Sequence, residues 1–151
     1  MTGQPIHASC IAVEGRAILL RGPSGSGKSD LALRLIDAGA TLVADDQVVL
    51  ETIGSELFAS PPVPLAGKIE VRGIGIVEDQ PWRRAPVALV VDLVRPDRVE
   101  RLPEPQTCLL EGVDLPCLAL AAFEASAPVK IRLAIASLEA AGPKRNIGKQ
   151  R

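Results

Sequence analysis

Aromatic side chains are scarce in this sequence: among 151 residues there is no tyrosine, one tryptophan (Trp82) and two phenylalanines, Phe58 and Phe123. Single-stranded nucleic acids are held on aromatic faces, so that class of ligand is disfavoured. Charge of one sign is also lacking. Seventeen basic and 18 acidic residues leave a net charge of −1, without the basic footprint of a nucleic-acid binder. Long apolar runs are missing too. VALVVDLV, residues 87–94, is the longest, too short for a membrane span and interrupted by Asp92. MTGQPIHAS has neither the basic nor the apolar part of a secretory signal, so none is expected. Cys10, Cys108 and Cys117 form no CxxC pair, and an odd set without metal spacing is expected as reduced, buried thiols of a cytoplasmic protein.

What is present is ordinary globular material, 47% hydrophobic and 23% charged. The length suits one domain with a real core. It is expected to occupy residues 1–142, with PKRNIGKQR, residues 143–151, as a basic disordered tail. No internal repeat or interdomain linker interrupts it.

Residues 6–13 and 16–20 are short apolar runs around Glu14-Gly15 and predict a hairpin. In SDLALRLIDAG, Ala32, Leu35 and Ile36 recur at helical spacing with Leu31 beside them, and Gly39 is placed to cap the helix end. TLVAD predicts a buried strand, and QVVLETIGSELFAS a hairpin turning at Gly54-Ser55. PPVPLAG reads as an extended loop. VALVVDLV is continuous and β-branched, as central strands are. Residues 95–116, with prolines at 96, 103, 105 and 116, read as loops with short strands, and CLALA as a last strand. From Pro128, Ile131, Ala134, Ile135 and Leu138 trace a second helix, with Gly142 after its end.

Between the first hairpin and the first helix lies GPSGSGKS: Gly22, Pro23, Ser24, Gly25, Ser26, Gly27, Lys28 and Ser29. It satisfies G-x-x-x-x-G-K-[ST] in the context that gives the motif meaning, a strand before and an amphipathic helix after. Small residues let successive N–H groups turn inward around a phosphate, and the helix N-terminus adds its partial positive charge. Lys28 can follow the β/γ-phosphates, and Ser29 offers a hydroxyl to Mg²⁺. The fold class follows as α/β: a single phosphate-loop nucleotide-binding domain with a mixed sheet and flanking helices.

The motif alone leaves kinase, hydrolase, switch and passive binder open. Carboxylates at neighbouring strand ends are the next candidates. TLVADD ends in Asp45 and Asp46, which on an extended strand would point to opposite faces, one toward a metal and one toward an attacking hydroxyl. Asp92 ends ALVVD and fits a structural strand-end place better; two adjacent carboxylates are the more telling signal. In IEVRGIGI, residues 69–76, Glu70 and Arg72 share a face if the segment is extended; the acid could bind Mg²⁺ and the arginine stabilise phosphoryl oxygens. The alternative is an edge strand with a surface ion pair and a glycine turn. His7, the one histidine, would approach the phosphates if its strand pairs with the one entering the loop.

Together IHAS, RGPSGSGKSDLAL, DAGATLVADDQV and IEVRGIGI, in this order and spacing, resemble the catalytic domain of bacterial HPr kinase/phosphorylase. IEVRGIGI is close to that family's LEIRGLGI signature. The resemblance covers residues 6–80 well and the rest weakly, and is nearest the short forms of alphaproteobacteria. It implies a fold related to phosphoenolpyruvate carboxykinase, ATP and Mg²⁺ as cofactors, and commonly a hexamer. Its implied reaction phosphorylates a seryl residue of HPr, a carrier of sugar phosphotransfer systems; many members also reverse it with inorganic phosphate. By the same resemblance Lys28 and Ser29 bind phosphates and Mg²⁺, and Asp46 is the general base. Glu70 helps hold Mg²⁺, and His7 matches an active-site histidine. The family's PVRPGRN-like motif has no counterpart: the comparable region reads CLALAAFEASAPVKIRLAI, where Lys130 and Arg132 are the nearest cations. Two rivals remain at this point, a phosphate-loop kinase or hydrolase of small metabolites and a nucleotide-binding regulatory module without turnover.

Overall fold

The computed structural model describes residues 3–141; Gly142 and the expected tail lie outside them. The first hairpin forms as expected, with β1 (Ile6–His7) and β2 (Ser9–Val13) leading through Glu14-Gly15 into β3 (Arg16–Arg21). Glu14 and Gly15 both take positive φ, 50° and 80°, which makes the turn tight. Then come α1 (Lys28–Asp37), β4 (Thr41–Ala44), and the hairpin of β5 (Gln47–Ile53) and β6 (Glu56–Ser60). A 3₁₀ turn at Val63–Leu65 bends the proline loop that was expected to be extended. The hairpin of β7 (Ile69–Val71) and β8 (Gly75–Val77) precedes the long β9 (Ala85–Leu93). β10 (Gln106–Leu110), β11 (Val113–Leu120) and α2 (Ala127–Ala141) complete the described chain.

Among the described residues nine strands join one mixed sheet, while β7 and β8 pair only with each other. β9 is its axis, as the continuous VALVVDLV run requires. It runs parallel to β3 on one side. On its other side it pairs at its start with β6 and, from Val90 to Leu93, in parallel with β11. β2 lies antiparallel between β3 and β4. The prolines of residues 95–116 concealed a regular hairpin, β10 to β11. Pro116 is accommodated because it falls just before Cys117–Leu120, the stretch that pairs with β9.

Side chains alternate along β3 between two cores. Ile18 and Leu20 face the helices, packing with Leu31 and Leu35 of α1 and Ile131 and Ile135 of α2. Ala17 and Leu19 join Cys10, Val43, Val48, Leu57 and Val90 on the opposite face, closed by strands alone. Of the three cysteines only Cys10 is buried, which pushes its thiol pKa upward; Cys108 and Cys117 are half-buried, against expectation. No helix among the described residues is long and apolar enough to cross a membrane.

Leu20 is fully buried and Leu102 is 80% exposed. Leu20→Ala should therefore cost about 2–5 kcal/mol, and Leu102→Ala less than about 0.5 kcal/mol. Urea unfolding checks this: the midpoint should fall for the first variant with an unchanged slope and stay put for the second.

Candidate functional site: a phosphate-loop cleft

Between β3 and α1 the chain makes the loop that its glycines permit. Gly25 and Gly27 have φ of 83° and 97°, in the left-handed region open to glycine. At Gly27, which caps α1, a Cβ would also lie 2.9 Å from Ala122 Cβ and from Phe123 Cζ. At Gly22 a Cβ would come within 2.5 Å of Ser26 Oγ. Lys28 is buried and its Nζ donates to the carbonyls of Gly22 (2.8 Å) and Pro23 (3.1 Å), so the ammonium is held across the loop. Ser26 Oγ is buried without a hydrogen-bond partner among the described residues.

The aspartate pair does not lie on one extended strand. β4 stops at Ala44, and Asp46 turns into left-handed backbone with φ 73°. The two carboxylates are consequently divided between interior and solvent rather than between two faces of a strand. Asp45 is buried. Its Oδ1 accepts from Ser9 Oγ and from Ser29 Oγ, both at 2.7 Å, and its Oδ2 from the Glu70 backbone N–H at 2.9 Å. One carboxylate thus ties β2, the start of α1 and the β7–β8 hairpin together. Nor does β4 adjoin β3, since β2 stands between them.

Asp46 is exposed beside His7, with Nδ1 3.4 Å from Asp46 Oδ1. That closeness does not arise from pairing with β3. β1 pairs with β5, setting His7 opposite Gln47, and the Ala8 N–H donates to the Asp46 carbonyl at 3.2 Å.

IEVRGIGI is a hairpin, not one extended strand: β7 ends at Val71, and Gly73 and Gly75 turn the chain with φ of 93° and 117°. Glu70 is therefore on a strand and Arg72 in the turn. Even so, both side chains line the cleft.

The cleft, about 590 Å³, brings together His7, Asp46, Glu70 and Arg72 with Ser24, Gly25, Gly27, Lys28 and Ser29 of the loop. Gly22, Pro23, Ser26 and Asp45 stand behind its wall and shape it. Asp92 has no place there: it receives both Nε (2.8 Å) and Nη2 (3.1 Å) of Arg21, and Cys117 Sγ donates to it at 3.3 Å. Burial, and then this carboxylate, push the Cys117 thiol up to about 12. Lys130 pairs with Glu124 at 2.8 Å and Arg132 donates to the Ala38 carbonyl, so neither reaches the cleft.

Three residues of the site were not visible in the sequence. Ser9 is a polar residue buried in an apolar strand, a signal that could have been read. Phe123 lines the cleft from the far end of the chain, and Arg34 of α1 anchors the segment that carries it. Neither has a local sequence signature.

Among the described residues no three His, Cys, Asp or Glu side chains converge on a protein-only metal cage. The donors present, the Ser29 hydroxyl, Asp45 behind it and Glu70 on the wall, fit the habit of Mg²⁺, which takes one or two carboxylates and completes its shell with phosphates and water.

Fold and site define a mixed α/β domain with a large sheet, two helices and a glycine-rich phosphate-loop motif opening a cleft lined by carboxylates and a histidine. Comparison with known proteins makes this specific. The HPr serine kinase C-terminal domain model matches residues 2–118, and the chain belongs to that family. It is 39% identical over 133 residues to the HPr kinase/phosphorylase of Chlorobaculum tepidum, covering 80% of this chain and 39% of that protein. To the HPr kinase/phosphorylase of Clostridium tetani it is 45% identical over 73 residues, 48% of this chain and 24% of that one. The chain thus matches about a quarter of the length of the latter relative. The structure of the Hpr(Ser) kinase/phosphatase from Coxiella burnetii superposes with a TM-score of 0.78 at 28% identity, covering 89% of this chain and 95% of that one.

Asp45→Asn places an amide N–H₂ against one of the three donors now served by the carboxylate. The expected cost is about 1–3 kcal/mol, read as a lower thermal midpoint. Lys28→Ala removes the bonds to the Gly22 and Pro23 carbonyls and should also lower the midpoint, but unlike Asp45→Asn it removes a full positive charge from the loop and should weaken nucleotide binding at least tenfold by titration calorimetry.

Proposed function

We propose that this chain is the catalytic domain of a protein serine kinase that transfers the γ-phosphoryl group of ATP, with Mg²⁺, to a seryl hydroxyl of an HPr-type phosphocarrier. The observation that carries the reading is the division of labour in the aspartate pair. Asp45 is buried and locked behind Ser29, while Asp46 is free at the cleft surface with His7 beside it. A buried carboxylate behind the loop serine suits a metal position. An exposed one next to it suits proton transfer from an incoming hydroxyl.

In this reading the loop N–H groups and Lys28 hold the β- and γ-phosphates. Ser29, with Asp45 and Glu70, holds Mg²⁺, which when bound neutralises charge on the phosphates. The seryl oxygen enters in line. Its bond to phosphorus forms as the bond to the β-phosphate oxygen breaks, ADP departs, and Asp46 takes the hydroxyl proton. His7, within 3.4 Å of Asp46, orients that carboxylate. Arg72, in the hairpin turn on the cleft wall, faces the moving phosphoryl group. Phosphorolysis would run the analogous transfer in the opposite direction with inorganic phosphate in the place of ADP: a phosphate oxygen bonds to the seryl-phosphate phosphorus as the seryl oxygen–phosphorus bond breaks, pyrophosphate departs, and Asp46 returns the proton to the seryl oxygen. The kinship to the phosphoenolpyruvate carboxykinase fold, a cytoplasmic setting and a hexameric assembly belong to this same reading. They rest on the family resemblance.

The test mixes the protein with Mg²⁺-ATP and a cognate HPr-type carrier and seeks a seryl phosphate by mass spectrometry. Asp46→Asn should lower the transfer rate by about 10²-fold or more while ATP affinity stays within about twofold. Transfer at the wild-type rate in that variant would remove Asp46 as the base. ATP binding with no transfer by the wild type would favour a regulatory module instead.

A further inference from the structure

The loop and the aspartates account for the phosphates and leave the base of the nucleotide without a partner. Sheet order decides where that base can go. Asp46 follows β4, which lies on the β2 side of β3, whereas β9 and β11 lie on the other side. A nucleotide whose terminal phosphate faces Asp46 therefore extends across the loop toward the C-terminal ends of β9 and β11. In parallel strands that edge is where ligands settle.

Phe123 stands there. It follows β11 and lines the cleft, yet 70% of it is exposed. Its ring edge reaches the phosphate loop: a Cβ on Gly27 would lie 2.9 Å from Cζ and 3.1 Å from Cε1. The segment is not loose. The Arg34 guanidinium donates to the carbonyls of Ala122 and Glu124, the residues on either side of Phe123. Ala121 and Ala122 are buried, and Glu124 is tied to Lys130 at 2.8 Å. An exposed aromatic ring thus stands at the cleft on a backbone segment held on both sides. The other aromatics are elsewhere: Phe58 lies under Arg84, 4.6 Å from its guanidinium carbon, and neither it nor Trp82 lines the cleft.

We infer that Phe123 is the stacking platform for the base of the bound nucleotide. The inference rests on the phosphate-loop reading of the cleft and adds to it the subsite for the base. A ring face recognises a π surface rather than a hydrogen-bonding edge, so adenine and guanine nucleotides should both use it.

The experiment measures affinities of ATP, GTP and inorganic tripolyphosphate by calorimetry for the wild type, Phe123→Ala and Phe123→Trp. Because Phe123 is largely exposed, the variants should fold. Phe123→Ala should weaken ATP and GTP about tenfold or more and leave tripolyphosphate within about twofold, and Phe123→Trp should restore ATP binding. Unchanged ATP affinity in Phe123→Ala would overturn the inference. So would an equal loss for ATP and tripolyphosphate, which would mean that the ring only shapes the loop. Failure of the wild type to bind either compound would instead overturn the phosphate-loop reading itself, and this inference with it.

Discussion

The Asp45 carboxylate accepts hydrogen bonds from β2, from the first turn of α1 and from the β7–β8 hairpin, three elements that share no backbone pairing with one another. A buried carboxylate is costly unless its oxygens are satisfied. Here satisfying them fixes the site. Ser29 is held at the loop end, and the hairpin bearing Glu70 and Arg72 is drawn against the cleft although it pairs with no strand of the main sheet. Asp46 follows as the next residue, turned outward by its left-handed backbone.

The sheet supplies the second constraint. β3 delivers the phosphate loop from the middle of the order, with β2 and β4 on one side and β9 and β11 on the other. The Asp46 carboxylate comes from the first side and the Phe123 ring from the second, so the cleft has two distinct ends. Lys28, bridging the Gly22 and Pro23 carbonyls, holds the middle. This arrangement supports the proposed transfer to a carrier serine, with the acceptor entering at the Asp46 and His7 end.

Much of this was legible from local pattern. The phosphate loop, both helices and the hairpins at Glu14-Gly15 and Gly54-Ser55 follow from periodicity and turn residues that act over a few positions. What escaped depended on tertiary contacts or single dihedral angles. Adjacent aspartates after an apolar strand suggest alternating faces. Only the end of β4 at Ala44 and the positive φ of Asp46 show that one goes inward and the other out. Proline density hid the β10–β11 hairpin, because which N–H groups a strand needs depends on which neighbour it has. Asp92, the weaker candidate beside the aspartate pair, takes the structural place that a lone strand-end carboxylate suggests, bound by Arg21. Phe123 is remote in sequence from every motif, and its place at Gly27 comes from packing of the β11–α2 connection on α1.

The most direct measurement for the account is the Mg²⁺ dependence of ATP binding in the wild type and in Asp45→Asn, both assayed below their thermal midpoints. If Asp45 is the buried support of the metal position, wild-type affinity rises on adding Mg²⁺, while the variant binds ATP with little or no response to the ion. An equal Mg²⁺ response in the two proteins would contradict the account, leaving Asp45 as a structural tie and the metal to be held elsewhere.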